Sequence, residues 1–594
     1  MCGIFGTNQK ISENKIDKLL NLQNHRGPDD KQFFQNDQIT LLHNRLSILD
    51  IENGSQPMSF KDLIIIFNGE IFNSPSLRSM LQNKGYSFLT KNSDTEVLLK
   101  LYDFKGIEML SELNGMFSFV IYDKKKNILF GAVDQFSIKP LYYSFLQNKF
   151  FFSSEIKPLL ELEHISKDLS VSSIKSFFQL QYVPFENTIY ENVKKLKNNH
   201  YFVFDLSHRN LNIKKYEVKK NLIKFNNYSD IVLGGKEALN NSIKNWSLSD
   251  VPIACSLSGG LDSSLIASIF ASNSSKKIKT ITVGYEGFDK IHDERNYAKL
   301  LSEYINSDHT EIVINPKDIL LDLNIVFENL AEPYAGSLAS WHVYKNLKNE
   351  KVIFTGTGAD EIFGNYGKWK NYILSDFFLK NSLNFFKNQK LTDLKYFYGF
   401  FYNKIFYEKE IDKLIKQNED LNLNYLIHSL VSSNTSGIKK KAQEIDFNLQ
   451  LPYEFLYVTD RLAMMNSIEA RTPFLDNEMV DYINSIPSKH MSSLLNSKKL
   501  LKDISYGQIP TKIIERSKMG FVLPKENWLK KELLENLKNY TSEAFLKKQN
   551  IFSQNYIENL LNRFLNSKNN SNLTEKVWTY FIFQFWYEKN YLTS

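Results

Sequence analysis

Cysteine is almost absent. The 594 residues contain two, Cys2 and Cys255. Two thiols cannot build a disulfide scaffold, and their scarcity predicts a reducing, cytoplasmic setting. Long apolar runs are missing too. A membrane span needs ~20 apolar residues in a row, whereas stretches such as Phe117–Tyr122 are strand-sized. No basic segment followed by an apolar one opens the chain, so no signal peptide is expected. Charge of one sign is scarce: 73 Lys and Arg against 66 Asp and Glu leave +7. Spread over this length, that gives no ground for a nucleic-acid partner, and no membrane partner is expected either. Aromatics, by contrast, are plentiful at 14%, with 45 Phe and 31 Tyr beside many Lys and Asn, which reads as a codon bias toward A and T. With 42% hydrophobic and 23% charged residues the chain is globular, and at roughly 100–200 residues per domain it needs several domains.

The first part of the chain reads as short strands separated by turns. Leu63–Phe67 runs into Asn68-Gly69, read as a turn. Met116–Tyr122 and Ile128–Val133 flank the polar Asp123–Asn127. Helical spacing appears at Lys15–Gln23 and Asp94–Tyr102. These predict a mixed α+β domain over 2–207, followed by a Lys/Asn-rich linker over 208–229. From 230 the pattern changes. Val251–Ser256 is a buried-strand run leading into a glycine turn and an apolar helix, Leu261–Phe270, and Lys279–Val283 and Val352–Thr355 are further strands. That alternation predicts an open parallel-sheet α/β domain over 230–594. A helical insertion is expected at about 367–450, and an aromatic helical core at Trp578–Tyr591.

The strand at 251–256 ends in Ser258-Gly-Gly-Leu-Asp-Ser-Ser264. Glycines between a strand and a helix let backbone N–H groups and the helix N-terminus surround a phosphate. Neither the Gly-x-x-x-x-Gly-Lys-Ser/Thr spacing nor the Gly-x-Gly-x-x-Gly fingerprint is present in this segment. The string resembles the PP-loop of the ATP pyrophosphatase family, whose members cleave ATP between its α and β phosphates. The resemblance implies that Ser258, Gly259, Gly260, Asp262, Ser263 and Ser264 cradle the phosphates and that Asp262 helps hold Mg²⁺. A carboxylate in a phosphate loop requires a neutralising cation. Thr355-Gly-Thr-Gly-Ala-Asp-Glu361 again pairs a glycine turn with acidic residues, making Asp360 the second Mg²⁺ candidate. Glu515–Phe521 places Arg516 and Lys518 on a glycine-containing loop.

Cys2 sits one residue after the initiator position. Removal of Met1 would leave it with a free α-amino group, which ordinarily titrates at ~8, close enough to neutrality to act as general base for its own thiol. His25–Asp29, Arg45–Asp50, Asn68–Asn73, Ser93-Asp94 and Gly115–Phe117 follow in order. Together with Cys2 these segments resemble the class II glutamine amidotransferase domain, an N-terminal-nucleophile αββα sandwich that releases ammonia from glutamine. The resemblance implies that Cys2 attacks the glutamine amide carbon. Asn68 and Gly69 would supply oxyanion donors, and Arg45, Leu46, Ile48, Leu49, Asn68, Gly69, Glu70 and Asp94 would bind glutamine.

An ammonia-releasing half fused to an ATP-adenylating half resembles the glutamine-hydrolysing asparagine synthetase family over essentially the whole chain. The block Asp460–Asp476 is similar to its C-terminal signature. What this implies is an acyl-adenylate intermediate, ATP contacts at Leu257, Val283, Thr355 and Gly356, and a phosphate contact at Lys518 that acts in catalysis. The substrates would be glutamine, ATP and a carboxylate, with aspartate favoured; a homodimer is compatible with this reading. One position departs from the family pattern. Where the family typically carries Glu between two glycines, this chain has Thr357, and a different carboxylate such as a uronic acid is the alternative acceptor.

Overall fold

The computed structural model describes residues 1–286, 294–364, 404–417, 419, 421, 423–430, 438–491, 498–516 and 523–592. Twelve strands precede residue 216: β1 (Cys2–Thr7), β2 (Asp30–Gln35), β3 (Thr40–Arg45), β4 (Met58–Phe60), β5 (Leu63–Ile71), β6 (Gly115–Asp123), β7 (Ile128–Val133), β8 (Tyr142–Leu146), β9 (Lys149–Ser153), β10 (Lys194–Lys195), β11 (His200–Asp205) and β12 (Asn210–Lys215). They form two six-stranded sheets in the orders β10-β8-β9-β1-β3-β2 and β12-β11-β7-β6-β5-β4. Every pairing within them is antiparallel.

Alternation along the strands decides the layering. Ile4, Leu41, Phe150 and Phe152 meet Ile64, Ile66, Val120 and Phe202 in the core between the sheets. Their neighbours Phe5, Leu42 and Phe151 point the other way, onto Leu19 and Leu20 of the helix Glu13–Leu22. Ile65, Phe67 and Phe119 likewise face helices Ser74–Asn83 and Asp94–Lys105. The result is the expected αββα sandwich.

The second half is built on a parallel sheet. Its strands are β13 (Ile253–Ser256), β14 (Lys279–Tyr285), β15 (Asp308–Ile314), β16 (Val352–Phe354) and β17 (Glu469–Arg471), in the order β15-β14-β13-β16-β17. The chain builds outward from β13 to β14 and β15, then returns to β16 on the other side. The carboxyl ends of β13 and β16 therefore flank a reversal of strand order, the place where open α/β sheets bind ligands.

Two expectations change. Asn68-Gly69 is no turn: β5 runs straight through it, with Asn68 opposite Ser118 and Gly69 opposite Phe117. A Cβ on Gly69 would lie 2.1 Å from the Met116 carbonyl oxygen, so this glycine answers to a close strand crossing and not to a hairpin. Part of the expected linker is also structured, since Asn210–Lys215 pairs with β11. Much of the expected 367–450 helical insertion lies outside the described residues. Inside it, Ile438–Ile445 is a helix that widens into π-helical turns over Asp446–Phe455, around Pro452. Trp578, Phe581, Phe583 and Trp586 are buried on the helix Ser571–Tyr587, as the aromatic pattern suggested.

Candidate active sites

Cys2 opens β1 and is buried. Its backbone N–H donates to Asn68 Oδ1 at 2.9 Å, and its carbonyl accepts from Arg26 Nε at 3.1 Å. Asn68 in turn donates through Nδ2 to Ser118 Oγ at 3.3 Å. One side chain on β5 thus orients the nucleophile candidate and is itself oriented by β6. Burial pushes the Cys2 thiol up; the nearby N-terminal ammonium, the Leu46 backbone and Arg45 pull the other way.

Asp94 caps this pocket from the start of its helix, where its Oδ2 accepts the Ile71 N–H at 2.9 Å. Burial raises its carboxyl to about 6. Glu70 is raised further, by burial and by the negative charge of Asp94. The two buried carboxyls are in contact, and the Arg471 guanidinium and the N-terminal ammonium offset part of the rise at Glu70. Arg45 is spent on loop geometry: it donates to the carbonyls of Leu49 (3.2 Å), Asp50 (2.7 Å) and Ile51 (3.0 Å). The Leu46 backbone meets Cys2's thiol, while the Leu46 and Ile48 side chains pack with Met1, Val352 and Met464 where the two halves meet.

The second site lies at the strand-order reversal. Ser258–Gly260 connects β13 to the helix Leu261–Asn273. Gly259 has φ +71, and a Cβ there would press 2.7 Å from the Glu294 carbonyl oxygen. Ser258 and Ser263 hydroxyls bond across the loop at 3.0 Å, while Ser264 Oγ is buried without a bonding partner. The second glycine loop packs on the first: a Cβ on Gly356 would lie 3.1 Å from both Asp262 Cβ and Ser263 N. Thr355 N–H donates to the Arg471 carbonyl at 2.9 Å, and its hydroxyl donates to Thr357 Oγ1 at 3.2 Å. Leu257 and Val283 are buried at the ends of β13 and within β14.

Asp262 and Asp360 are brought together by Lys498, whose Nζ lies 2.5 Å from Asp262 Oδ1 and 2.8 Å from Asp360 Oδ1. Both carboxylates raise the Lys498 ammonium pKa against the effect of burial. Two hard oxygen donors beside this glycine loop fit Mg²⁺, which binds through one or two carboxylates plus phosphate oxygens. Among the described residues no cluster of three or more His, Cys, Asp or Glu is placed to hold a metal. Lys518 lies outside the described residues.

Residues 1–217 match the family described as glutamine amidotransferase domain, and residues 234–588 match asparagine synthase. The chain belongs to the asparagine synthase family. Relatives include asparagine synthetase [glutamine-hydrolyzing] 1 of Bacillus subtilis, 31% identical over 99% of this chain and 97% of that protein. A putative asparagine synthetase [glutamine-hydrolyzing] 2 of Methanocaldococcus jannaschii is 32% identical over 64% of this chain and 78% of its own length. Asparagine synthetase [glutamine-hydrolyzing] 3 of B. subtilis is 28% identical over 88% of this chain and 87% of that protein. The chain is therefore a glutamine-dependent carbon–nitrogen ligase of the asparagine synthetase type. Among the described residues no helix is long and apolar enough to cross a membrane.

The contacts of several residues could not be read from the sequence. Lys498 lies in an ordinary Ser/Lys run. Glu469 and Arg471, inside the C-terminal signature, turn out to reach the first site. Glu469 Oε2 lies 3.4 Å from the Met1 ammonium, and Oε1 accepts from Arg471 Nε at 2.6 Å. Burial would raise the Glu469 carboxyl, but Arg471 and the ammonium hold it low. Only the assembled β17 reveals this reach.

Proposed function

We propose that this enzyme moves the amide nitrogen of glutamine onto aspartate through an acyl-adenylate, yielding asparagine, AMP, pyrophosphate and glutamate. The observation that carries the reading is β17. Its first residue, Glu469, lies close enough to Cys2 for its charge to act on the thiol, and the carbonyl of its last, Arg471, accepts from Thr355 in the second glycine loop. Three residues of one strand link an amide-cleaving pocket to an ATP-type pocket.

In this reading Met1 is removed, and the freed Cys2 amine takes the thiol proton as the sulfur attacks glutamine. Asn68 Nδ2 and the Gly69 N–H would meet the oxyanion. Asp94 and Glu70 would bind the glutamine ammonium, whose charge would draw their shared proton away, and Arg45 with Leu49 would shape the wall for the carboxylate end. At the second site the Ser258–Ser264 backbone and hydroxyls would hold pyrophosphate, and Leu257, Val283, Thr355 and Gly356 would flank the nucleotide. Mg²⁺, held by Asp262 and Asp360, would neutralise the phosphates. Lys518 would contact the phosphates during adenylation. The substrate carboxylate attacks the α-phosphorus, and ammonia then displaces AMP.

Thr357, whose hydroxyl bonds Thr355, supports a second reading. A neutral hydroxyl in place of a carboxylate suits a carboxylate acceptor other than aspartate, such as a uronic acid. Incubation with ATP, Mg²⁺, glutamine and a panel of carboxylates, following pyrophosphate and amide product, tests both. Aspartate-dependent pyrophosphate release supports the first reading; release with a sugar acid but none with aspartate replaces it with the second.

A further inference from the structure

A buried cluster of charges spans the boundary between the halves, behind the backbone of Cys2. Arg26, fully buried, sends Nη1 to Glu155 Oε1 (2.9 Å) and to Asp460 Oδ2 (3.0 Å), and Nη2 to Asp460 Oδ1 (3.4 Å). Arg461 also grips Glu155, and donates to the Ser154 carbonyl at 2.8 Å. Lys139 Nζ lies 3.4 Å from Asp460 Oδ1, and His25 Nε2 lies 3.6 Å from Glu155 Oε1. Arg26, His25, Lys139 and Glu155 come from the amidotransferase half; Asp460 and Arg461 come from the helix Leu456–Met464 of the synthetase half. Desolvation of buried charges can cost more than their pairing returns, so the cluster is weak evidence of a stabilising role.

Its connection to β1 suggests another use. β9 covers β1 only at Phe5, Gly6 and Thr7, and Ser154 N–H still reaches the Ile4 carbonyl at 2.9 Å. Beyond that the chain leaves at Glu155, and Cys2 has no strand partner on this side. Arg26 Nε fills the gap by donating to the Cys2 carbonyl. The guanidinium that pins the nucleophile's backbone is itself clamped in a two-pronged grip by Asp460, a residue of the other half.

We propose that Asp460 is a positioning residue for glutamine hydrolysis: docking of the synthetase half, through Asp460 and Arg26, sets the placement of Cys2. The inference rests on Cys2 being the glutaminase nucleophile. Without the Asp460 charge, Arg26 is held by Glu155 alone and can shift away from the Cys2 carbonyl, while the phosphate-loop site is left as it is.

The test uses the full chain with Asp460→Asn and Asp460→Glu. Three quantities are read: glutamine kcat and KM without acceptor, Mg-ATP affinity by calorimetry, and the unfolding midpoint. A displacement of a reacting group by ~1 Å costs about 10²-fold. Asp460→Asn is expected to lower glutamine kcat by about 10–100-fold with KM changed by less than about threefold. Mg-ATP affinity should stay at the wild-type value. Asp460→Glu, which keeps the charge on a longer arm, should fall between Asn and wild type. If the Asn variant does not fold, the Glu variant alone must show lowered kcat with unchanged Mg-ATP affinity. Wild-type glutaminase kcat in a folded variant overturns the proposal, as does a parallel loss of kcat, nucleotide affinity and unfolding midpoint. Persistence of glutaminase in Cys2→Ala would instead overturn the assignment of Cys2.

Discussion

Lys498 Nζ sits 2.5 Å from Asp262 Oδ1 and 2.8 Å from Asp360 Oδ1, so one ammonium holds the position between the two carboxylates assigned to Mg²⁺. A metal and this ammonium compete for the same charge. Lys498→Met should therefore raise Mn²⁺ affinity of the nucleotide-free protein by about tenfold or more, because a like charge a few ångströms away costs several kcal/mol at a partly buried site. Calorimetric titration with Mn²⁺ alone reads this directly; equal affinities in variant and wild type would refute it.

Asn68 touches Cys2 at one atom and Ser118 at another. Asn68→Ala should reduce glutamine-dependent turnover by about 10²–10³-fold, the usual cost of losing an oxyanion donor. Turnover with free ammonium as nitrogen donor should survive. Parallel loss of both activities would show that Asn68 serves the fold and not the reaction.

Burial raises the carboxyl of Asp94 to about 6, and two opposite pH trends follow. A raised acid binds its proton more tightly in the folded state than in the unfolded one. The stability this contributes is complete below about pH 4 and is lost as pH rises through about 6. Glutamine binding runs the other way, because the ligand's ammonium needs an ionised partner. The value of kcat/KM for glutamine should fall on going below about pH 6, with an apparent pKa shared by Asp94 and Glu70. Asp94→Asn should shift that acid limb to lower pH, since the Asp94 charge no longer raises Glu70, and should raise KM; an unchanged limb assigns it elsewhere.

Gly69 leaves no room for a side chain, since a Cβ would lie 2.1 Å from the Met116 carbonyl oxygen. Gly69→Ala must push β5 and β6 apart. Overpacking of this kind typically costs about 1–3 kcal/mol. A lowered urea midpoint together with lost glutaminase is the expected result, and a variant of wild-type midpoint would contradict the close crossing.

Much of this was legible in the chain before folding. The Ser258–Ser264 and Thr355–Glu361 strings read as glycine turns after strands, and they do follow β13 and β16; Cys2 drew notice only together with the segments around it. The apolar runs Leu63–Phe67, Met116–Tyr122 and Ile128–Val133 between polar segments announced strands. Asn68-Gly69 misled because the dipeptide favours turns, and nothing local records that a carbonyl of β6 approaches it. Lys498 was illegible for a related reason, as were the contacts that Asp460 and Glu469 make from inside the C-terminal signature. Each acts on partners more than a hundred residues away, and a lone charged side chain looks the same in sequence whether it faces water or another half of the protein. The linker erred by composition: Asn210–Lys215 is polar because it is an edge strand.

The three residues of β17 also bear on how such a protein can be taken apart or rebuilt. Glu469 and Arg471 are strand residues of one half and wall residues of the other, with Arg471 additionally holding the carbonyls of Trp246 and Leu248. A chimera spliced near residue 217 would inherit a foreign wall for its first pocket together with its new second half. Exchanging the second half would therefore also exchange the Glu469–Arg471 edge that meets the N-terminus and Phe72.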